Sequence, residues 1–135
     1  MISVDEKICT GCRTCEFACA FQQKKSFHYH FSLIRIRKKK GEEGFFDVAQ
    51  CRHCAEPPCL PECPGEAISK DPRSGVVAID ASACTGCGKC VEACPWQAPV
   101  LTTDSGLAKI CDLCKGDPLC VKFCQPGALR IEEKR

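Results

Sequence analysis

Sixteen cysteines carry the chemistry of this chain, and they fall into four groups with none left over: Cys9, Cys12, Cys15 and Cys19; Cys51, Cys54, Cys59 and Cys63; Cys84, Cys87, Cys90 and Cys94; Cys111, Cys114, Cys120 and Cys124. The first and third groups read Cys-x2-Cys-x2-Cys-x3-Cys, the run that holds cubane iron–sulfur clusters. The second and fourth have a longer gap before the third cysteine. Sixteen thiolates are enough for four 4Fe-4S clusters. Four redox centres on 135 residues make the chain a carrier of single electrons.

Two other uses of cysteine fit poorly. At 16 of 135 residues, about 12%, cysteine passes the level that flags a disulfide scaffold. The segment Met1-Ile2-Ser3-Val4-Asp5-Glu6-Lys7 has no apolar secretory stretch, however, and Cys9 follows it at once. No twin-arginine signal and no stretch of roughly 20 apolar residues is present, so the expectation is a cytoplasmic protein without direct membrane insertion. Tetrahedral zinc prefers two Cys-x2-Cys pairs set apart by a longer loop, which leaves a zinc-binding interaction module as a remote alternative.

Other residues offer less. Net charge is +2, which predicts no polyanion partner, and the run Arg35, Arg37, Lys38, Lys39, Lys40 is too isolated for nucleic acid. It reads as a solvated hairpin edge, with docking on an acidic partner as the functional alternative. His28 and His30 alternate with Phe27, Tyr29 and Phe31, so an aromatic face, with Phe21 near, opposes an imidazole face; packing or interface is expected there. A protonated His53 would raise the potential of the cluster held partly by Cys54 and make it titrate. Trp96 is expected to shield its module from solvent. No nucleophile–base pair, phosphate loop or paired carboxylates stand out, so catalytic residues are assigned to none.

The cysteines must be positioned by short elements. Ser32 to Arg37 alternates apolar and basic residues as a strand does, and Phe45 to Ala49 returns. Ala67 to Lys70 and Val76 to Ile79 flank Asp71-Pro72-Arg73-Ser74-Gly75; Pro99 to Thr103 and Leu107 to Ile110 flank Asp104-Ser105-Gly106. Ala128 to Glu132 reads as a closing strand for Ile2-Ser3-Val4. Helical turns are expected after each third cysteine, and Pro64 and Pro95 stop two of them.

These motifs carry a resemblance. Cys9-Thr10-Gly11-Cys12-Arg13-Thr14-Cys15, Cys51-Arg52-His53-Cys54-Ala55-Glu56-Pro57-Pro58-Cys59, Cys84-Thr85-Gly86-Cys87-Gly88-Lys89-Cys90 and Cys111-Asp112-Leu113-Cys114-Lys115-Gly116-Asp117-Pro118-Leu119-Cys120 resemble four-cluster iron–sulfur electron-transfer subunits of molybdenum and tungsten pterin oxidoreductases and related anaerobic redox complexes. The resemblance implies an α+β, ferredoxin-like fold of two nested dicluster modules, an outer one over 1–30 plus 104–135 and an inner one over 31–103. It implies cluster 1 on Cys9, Cys12, Cys15 and Cys124, and cluster 2 on Cys51, Cys54, Cys59 and Cys94. Cluster 3 would take Cys84, Cys87, Cys90 and Cys63, and cluster 4 Cys111, Cys114, Cys120 and Cys19. From the residues alone, sequential pairing of the runs stays open. Ala20 after Cys19, and Pro126 displaced by Gln125 after Cys124, depart from the pattern in the outer module.

By the same resemblance, the partner is a catalytic subunit, a pterin-metal enzyme of the aldehyde oxidoreductase type that includes aromatic acyl-thioester reductases. A further redox subunit or ferredoxin would complete the relay. Alternatives are a subunit of a hydrogenase, formate or carbon monoxide dehydrogenase, or a free polyferredoxin. The mild positive charge argues against a free carrier, and the lack of an apolar C-terminal anchor argues against membrane-attached relatives.

Overall fold

The computed structural model describes residues 1–132. The last three residues of the expected outer module, 133–135, lie outside the described residues. The α+β expectation holds: short antiparallel ribbons are joined by short helices. In chain order these are β1 (Ile2–Val4), α1 (Thr14–Lys24), β2 (Arg35–Lys38), β3 (Phe46–Ala49), α2 (Cys59–Glu62), β4 (Ile68–Lys70), β5 (Val77–Ile79), α3 (Lys89–Ala93), β6 (Val100–Leu101), β7 (Ala108–Lys109), α4 (Leu119–Lys122) and β8 (Leu129–Ile131).

Each hairpin read from the alternation forms. β2 pairs with β3, β4 with β5, β6 with β7, and the terminal strands β1 and β8 meet in the register Ile2↔Ile131, Ser3↔Arg130, Val4↔Leu129. Beyond them, Met1 donates its amine to the Glu132 carbonyl at 2.8 Å, and Asp5 N–H donates to the Ala128 carbonyl at 2.8 Å.

The helix after the first run is longer than the single turn expected. Between Thr14 and Lys24 there is no Gly, Pro or further β-branched residue to stop it. It begins after Arg13 at φ 64° and ends at Lys25, whose N–H bonds the Phe21 carbonyl from φ 52°. Its inner face buries Cys15, Glu16, Cys19 and Ala20. The turns of the second and third runs do stop as expected: Cys63 (φ −80°, ψ 111°) and Cys94 (φ −81°, ψ 119°) are extended because a proline follows each.

Two apolar cores result. One joins Ile2, Leu129, Leu33, Ile34, Ile36 and Val48 with Cys15, Cys19 and Cys120. The other joins Ile68, Val77, Ala108 and Ile110 with Cys90. The β2–β3 hairpin falls within 31–103, the span given to the inner module, yet its buried side chains pack with cysteines of the first and fourth runs.

Residues 27–31 form no strand: Tyr29–Phe31 is a 3-10 turn that brings the His28 and His30 rings to 3.9 Å. Nor does an aromatic side pack inward: Phe27 and Tyr29 are 66% and 55% exposed.

Candidate metal centres

Each cysteine run closes on itself through left-handed backbone at one repeated place. The second residue after the first cysteine has positive φ in all four runs: Gly11 (70°), His53 (46°), Gly86 (74°) and Leu113 (58°). In the first and third runs glycine is needed there for a second reason. A Cβ on Gly11 would lie 2.3 Å from Phe46 Cζ, and one on Gly86 would lie 2.5 Å from the Gly106 carbonyl oxygen. In the second and fourth runs the kink residue's own amide faces the sulfur: His53 N–H donates to Cys51 Sγ at 3.5 Å and Leu113 N–H to Cys111 Sγ at 3.4 Å. A second repeated kink, at Glu66 (51°) and Gln97 (51°), aims Ala67 N–H at Cys63 Sγ (3.3 Å) and Ala98 N–H at Cys94 Sγ (3.5 Å). Each such N–H favours negative charge on the sulfur that it faces.

The thiols gather across runs. One cavity is lined by Cys9, Cys12, Cys15 and Cys124, with Ile36, Val48 and Leu129. Another is lined by Cys63, Cys84, Cys87 and Cys90, with Ile68 and Ala108. A third is lined by Cys19, Cys111, Cys114 and Cys120, with Leu33, Ile34 and Gln50. The remaining thiols also neighbour one another: burial first, then Cys94, Cys90 and Cys54, push the Cys59 thiol up.

The donor chemistry fits a bound cationic core. Burial raises Cys15 and Cys51 to about 12 and Cys111 to about 11, and raises Cys120 and Cys19 as well. Thiols so buried ionise only with positive charge among them, which iron supplies. The apolar walls and facing amides are what a thiolate-ligated cluster requires. Zinc fits less well. It draws its sulfurs to about 2.3 Å of one point and prefers two Cys-x2-Cys pairs set apart by a loop, an arrangement that the Cys-x2-Cys-x2-Cys runs do not supply.

The neighbouring residues sort differently from expectation. His53 is buried, and its Nδ1 accepts from Val77 N–H at 2.9 Å. Burial, and then the positive N-terminus, hold its pKa below the ordinary value. A nitrogen that accepts cannot also carry the proton, so His53 is neutral and the expected imidazolium is not formed. The basic edge divides: Arg35 and Arg37 donate to the Gln97 carbonyl and side-chain oxygens, the latter at 2.7 Å, while Lys38 and Lys40 face solvent. Trp96 stays 44% exposed with the Arg52 guanidinium 5.0 Å over its ring, so it shields only one side of its loop.

Two buried polar residues escaped sequence reasoning. Glu16, 2% exposed, accepts from Ile36 N–H at 2.7 Å through Oε1 and pairs with Arg13 Nε at 3.1 Å through Oε2. Gln50 is wholly buried. The signal for Gln50 was present: it continues the Phe46, Val48 alternation of β3.

The 4Fe-4S dicluster domain matches residues 42–134, the second to fourth cysteine runs. The chain belongs to that family. Relatives extend the likeness over the first run. It is 37% identical to the NADH-dependent phenylglyoxylate dehydrogenase subunit beta of Aromatoleum evansii, over 96% of this chain and 29% of the relative. It is 36% identical to the aliphatic sulfonate oxidoreductase polyferredoxin-like subunit of Pyrococcus furiosus, over 91% of this chain and 72% of the relative. Thus the dicluster chain spans under a third of one relative and most of the other. Among solved structures, the active site complex BamBC of benzoyl coenzyme A reductase with benzoyl-CoA superposes at a TM-score of 0.57, with 27% identity, covering 99% of this chain and 79% of that one. The sixteen cysteines of this dicluster protein are the donor set of four 4Fe-4S clusters.

Proposed function

We propose that the chain is an iron–sulfur electron-transfer subunit that relays single electrons between a catalytic subunit and another carrier. The observation that carries this reading is the continuity of its thiol groups. Besides burial, Cys59 is raised by Cys90, Cys51 by Cys111, and Cys120 by Cys19 and Cys15, so each group stands beside the next from the third run to the first. When bound, the clusters supply one-electron redox chemistry at potentials that their surroundings set.

The same arrangement supports the nested assignment. Cys9, Cys12, Cys15 and Cys124 would hold one cluster, and Cys19, Cys111, Cys114 and Cys120 a second, in an outer module closed by β1 and β8. Cys63, Cys84, Cys87 and Cys90 would hold a third, and Cys51, Cys54, Cys59 and Cys94 the fourth, in an inner module built on α2 and α3. The packing of β2–β3 on the first core supports moving that hairpin from the inner to the outer module.

The chain's own residues ligate the metal, turn amides toward sulfur and exclude water with two small cores. Its surface supports the subunit reading. Phe17, Phe21, Phe27 and Tyr29 are exposed together on and beside α1, with Phe21 and Phe27 stacked at 5.1 Å. Clustered exposed aromatics mark an interface. This face lies one helix diameter, about 10 Å, from the side of α1 that carries Cys15 and Cys19. A partner seated there stands close to two clusters. We assign the partner to the tungsten or molybdenum pterin enzymes of the aldehyde oxidoreductase type, a reading supported by the likeness to the benzoyl coenzyme A reductase complex. We place the protein in the cytoplasm; among the described residues no helix is long and apolar enough to cross a membrane.

Iron and sulfide analysis of anaerobically purified protein tests the reading. About sixteen of each per chain are expected, four to each cluster. Zinc, or four iron or fewer, would overturn it.

A further inference from the structure

Gln50 lies between the end of β3 and Cys51, and none of its surface reaches solvent. Neither Oε1 nor Nε2 completes a hydrogen bond of normal geometry among the described residues. Buried amides are nearly always paired. One left without a partner in a packed interior points to a group outside the polypeptide.

The surroundings identify that group. Gln50 lines the cavity of Cys19, Cys111, Cys114 and Cys120, whose other walls include Leu33, Ile34 and Pro118. The amide stands near enough to Cys111 to favour its thiolate, against the upward push of burial. Of its two polar ends only Nε2–H can donate to a sulfur of that site. Leu113 N–H already donates to Cys111 Sγ at 3.4 Å, and the Gln50 donor lies in addition to the amides that the backbone supplies.

We propose that Gln50 is a positioning residue that sets the redox potential of the cluster held by Cys19, Cys111, Cys114 and Cys120, by donating Nε2–H to sulfur of that site. The inference rests on the cluster reading given above. The reduced site carries one more negative charge, so an N–H donor to its sulfur holds the reduced form more strongly than the oxidised one and raises the potential. Gln50 does not titrate, so the effect is the same at every pH. Its position gives the effect a direction. The backbone of Gln50 adjoins Cys51 of the second run while its amide faces Cys111 of the fourth, and these two thiols act on one another. One residue therefore biases the step between the two cores toward the Cys111 side.

The test compares wild type, Gln50→Leu and Gln50→Met as anaerobically purified full chains. Leucine and methionine keep an apolar volume and remove the donor; if Gln50→Leu fails to assemble, Gln50→Met, which keeps the unbranched shape, carries the comparison. Iron content is read first. Wild-type protein without cluster iron would sink the cluster reading itself. With full iron, an EPR-monitored redox titration should show one midpoint lowered in the variants and the other three unchanged. Proton–deuterium ENDOR of that reduced site should lose one exchangeable coupling. Fully loaded variants whose midpoints and couplings all match wild type would overturn the proposal.

Discussion

Val77 donates its backbone N–H to Nδ1 of His53 across 2.9 Å, which fixes a buried imidazole in its neutral form beside two metal ligands. Protonation would break that bond and place a charge in a site from which burial already excludes it. No cluster potential is therefore tied to His53 at neutral pH. Protein-film potentials of wild type and His53→Asn should run parallel between about pH 6 and 8, asparagine being a residue that tolerates positive φ. A wild-type slope near 59 mV per pH unit, the one-electron value, that vanished in the variant would contradict the hydrogen-bond assignment.

Glu16 ties α1 to β2. Its Oε1 accepts from the buried Ile36 N–H, and its other oxygen meets an Arg13 side chain that is half exposed. The first contact carries most of the effect, because solvent around the half-exposed Arg13 screens the ion pair, whereas an amide left buried without an acceptor costs about 1–3 kcal/mol. Glu16→Ala should lose that larger amount in urea melts followed by loss of visible absorbance. Glu16→Gln retains an acceptor and should lose less. Equal losses would mean that the charge, not the acceptor, matters.

Gly86 and Gly127 share φ of +74° and differ only in what surrounds them. Alanine at Gly127 meets open space and bears only the left-handed backbone cost, about 1 kcal/mol. Alanine at Gly86 adds a Cβ 2.5 Å from the Gly106 carbonyl, so the β6–β7 turn or the third cysteine run must move. Gly86→Ala is expected to lose about four iron per chain, and Gly127→Ala to keep them all. Identical iron contents would show that the turn yields without cost.

The strands were legible because their signals are local. Alternation and turn residues at Asp71 to Gly75 and Asp104 to Gly106 placed β4 to β7 to within two residues of the observed ends. The prolines after Cys63 and Cys94 named the residues that turn extended. What stayed hidden depends on distant partners. Residues 27–31 alternate as a strand would, but no second strand pairs with them and they coil against α1 instead. His53 reads as a titrating group until Val77, 24 positions away, supplies the donor that makes it neutral. Gln50 looks like an ordinary polar residue until the fourth run closes over it.

The aromatic face of α1 makes the last prediction. Phe27 is 66% exposed and Phe21 38% exposed; their rings stack with 19° between planes, the Lys25 ammonium lies 5.0 Å over Phe21, and neither ring joins the buried residues of the two cores. Replacing surface residues of this kind changes stability by only about 0.5 kcal/mol, so Phe21→Ser with Phe27→Ser should leave iron content and all midpoints as in wild type. Burying two such rings at an interface contributes about 1.5–3 kcal/mol each, so the same pair of changes should release the catalytic subunit during purification of the native complex. The pair must be compared with an exposed control on another element, Ile131→Ser on β8, where Ile131 is 59% exposed. If the control releases the partner and the aromatic pair does not, the docking face lies at the terminal strands, and the electron enters or leaves beside Cys124 and not through α1.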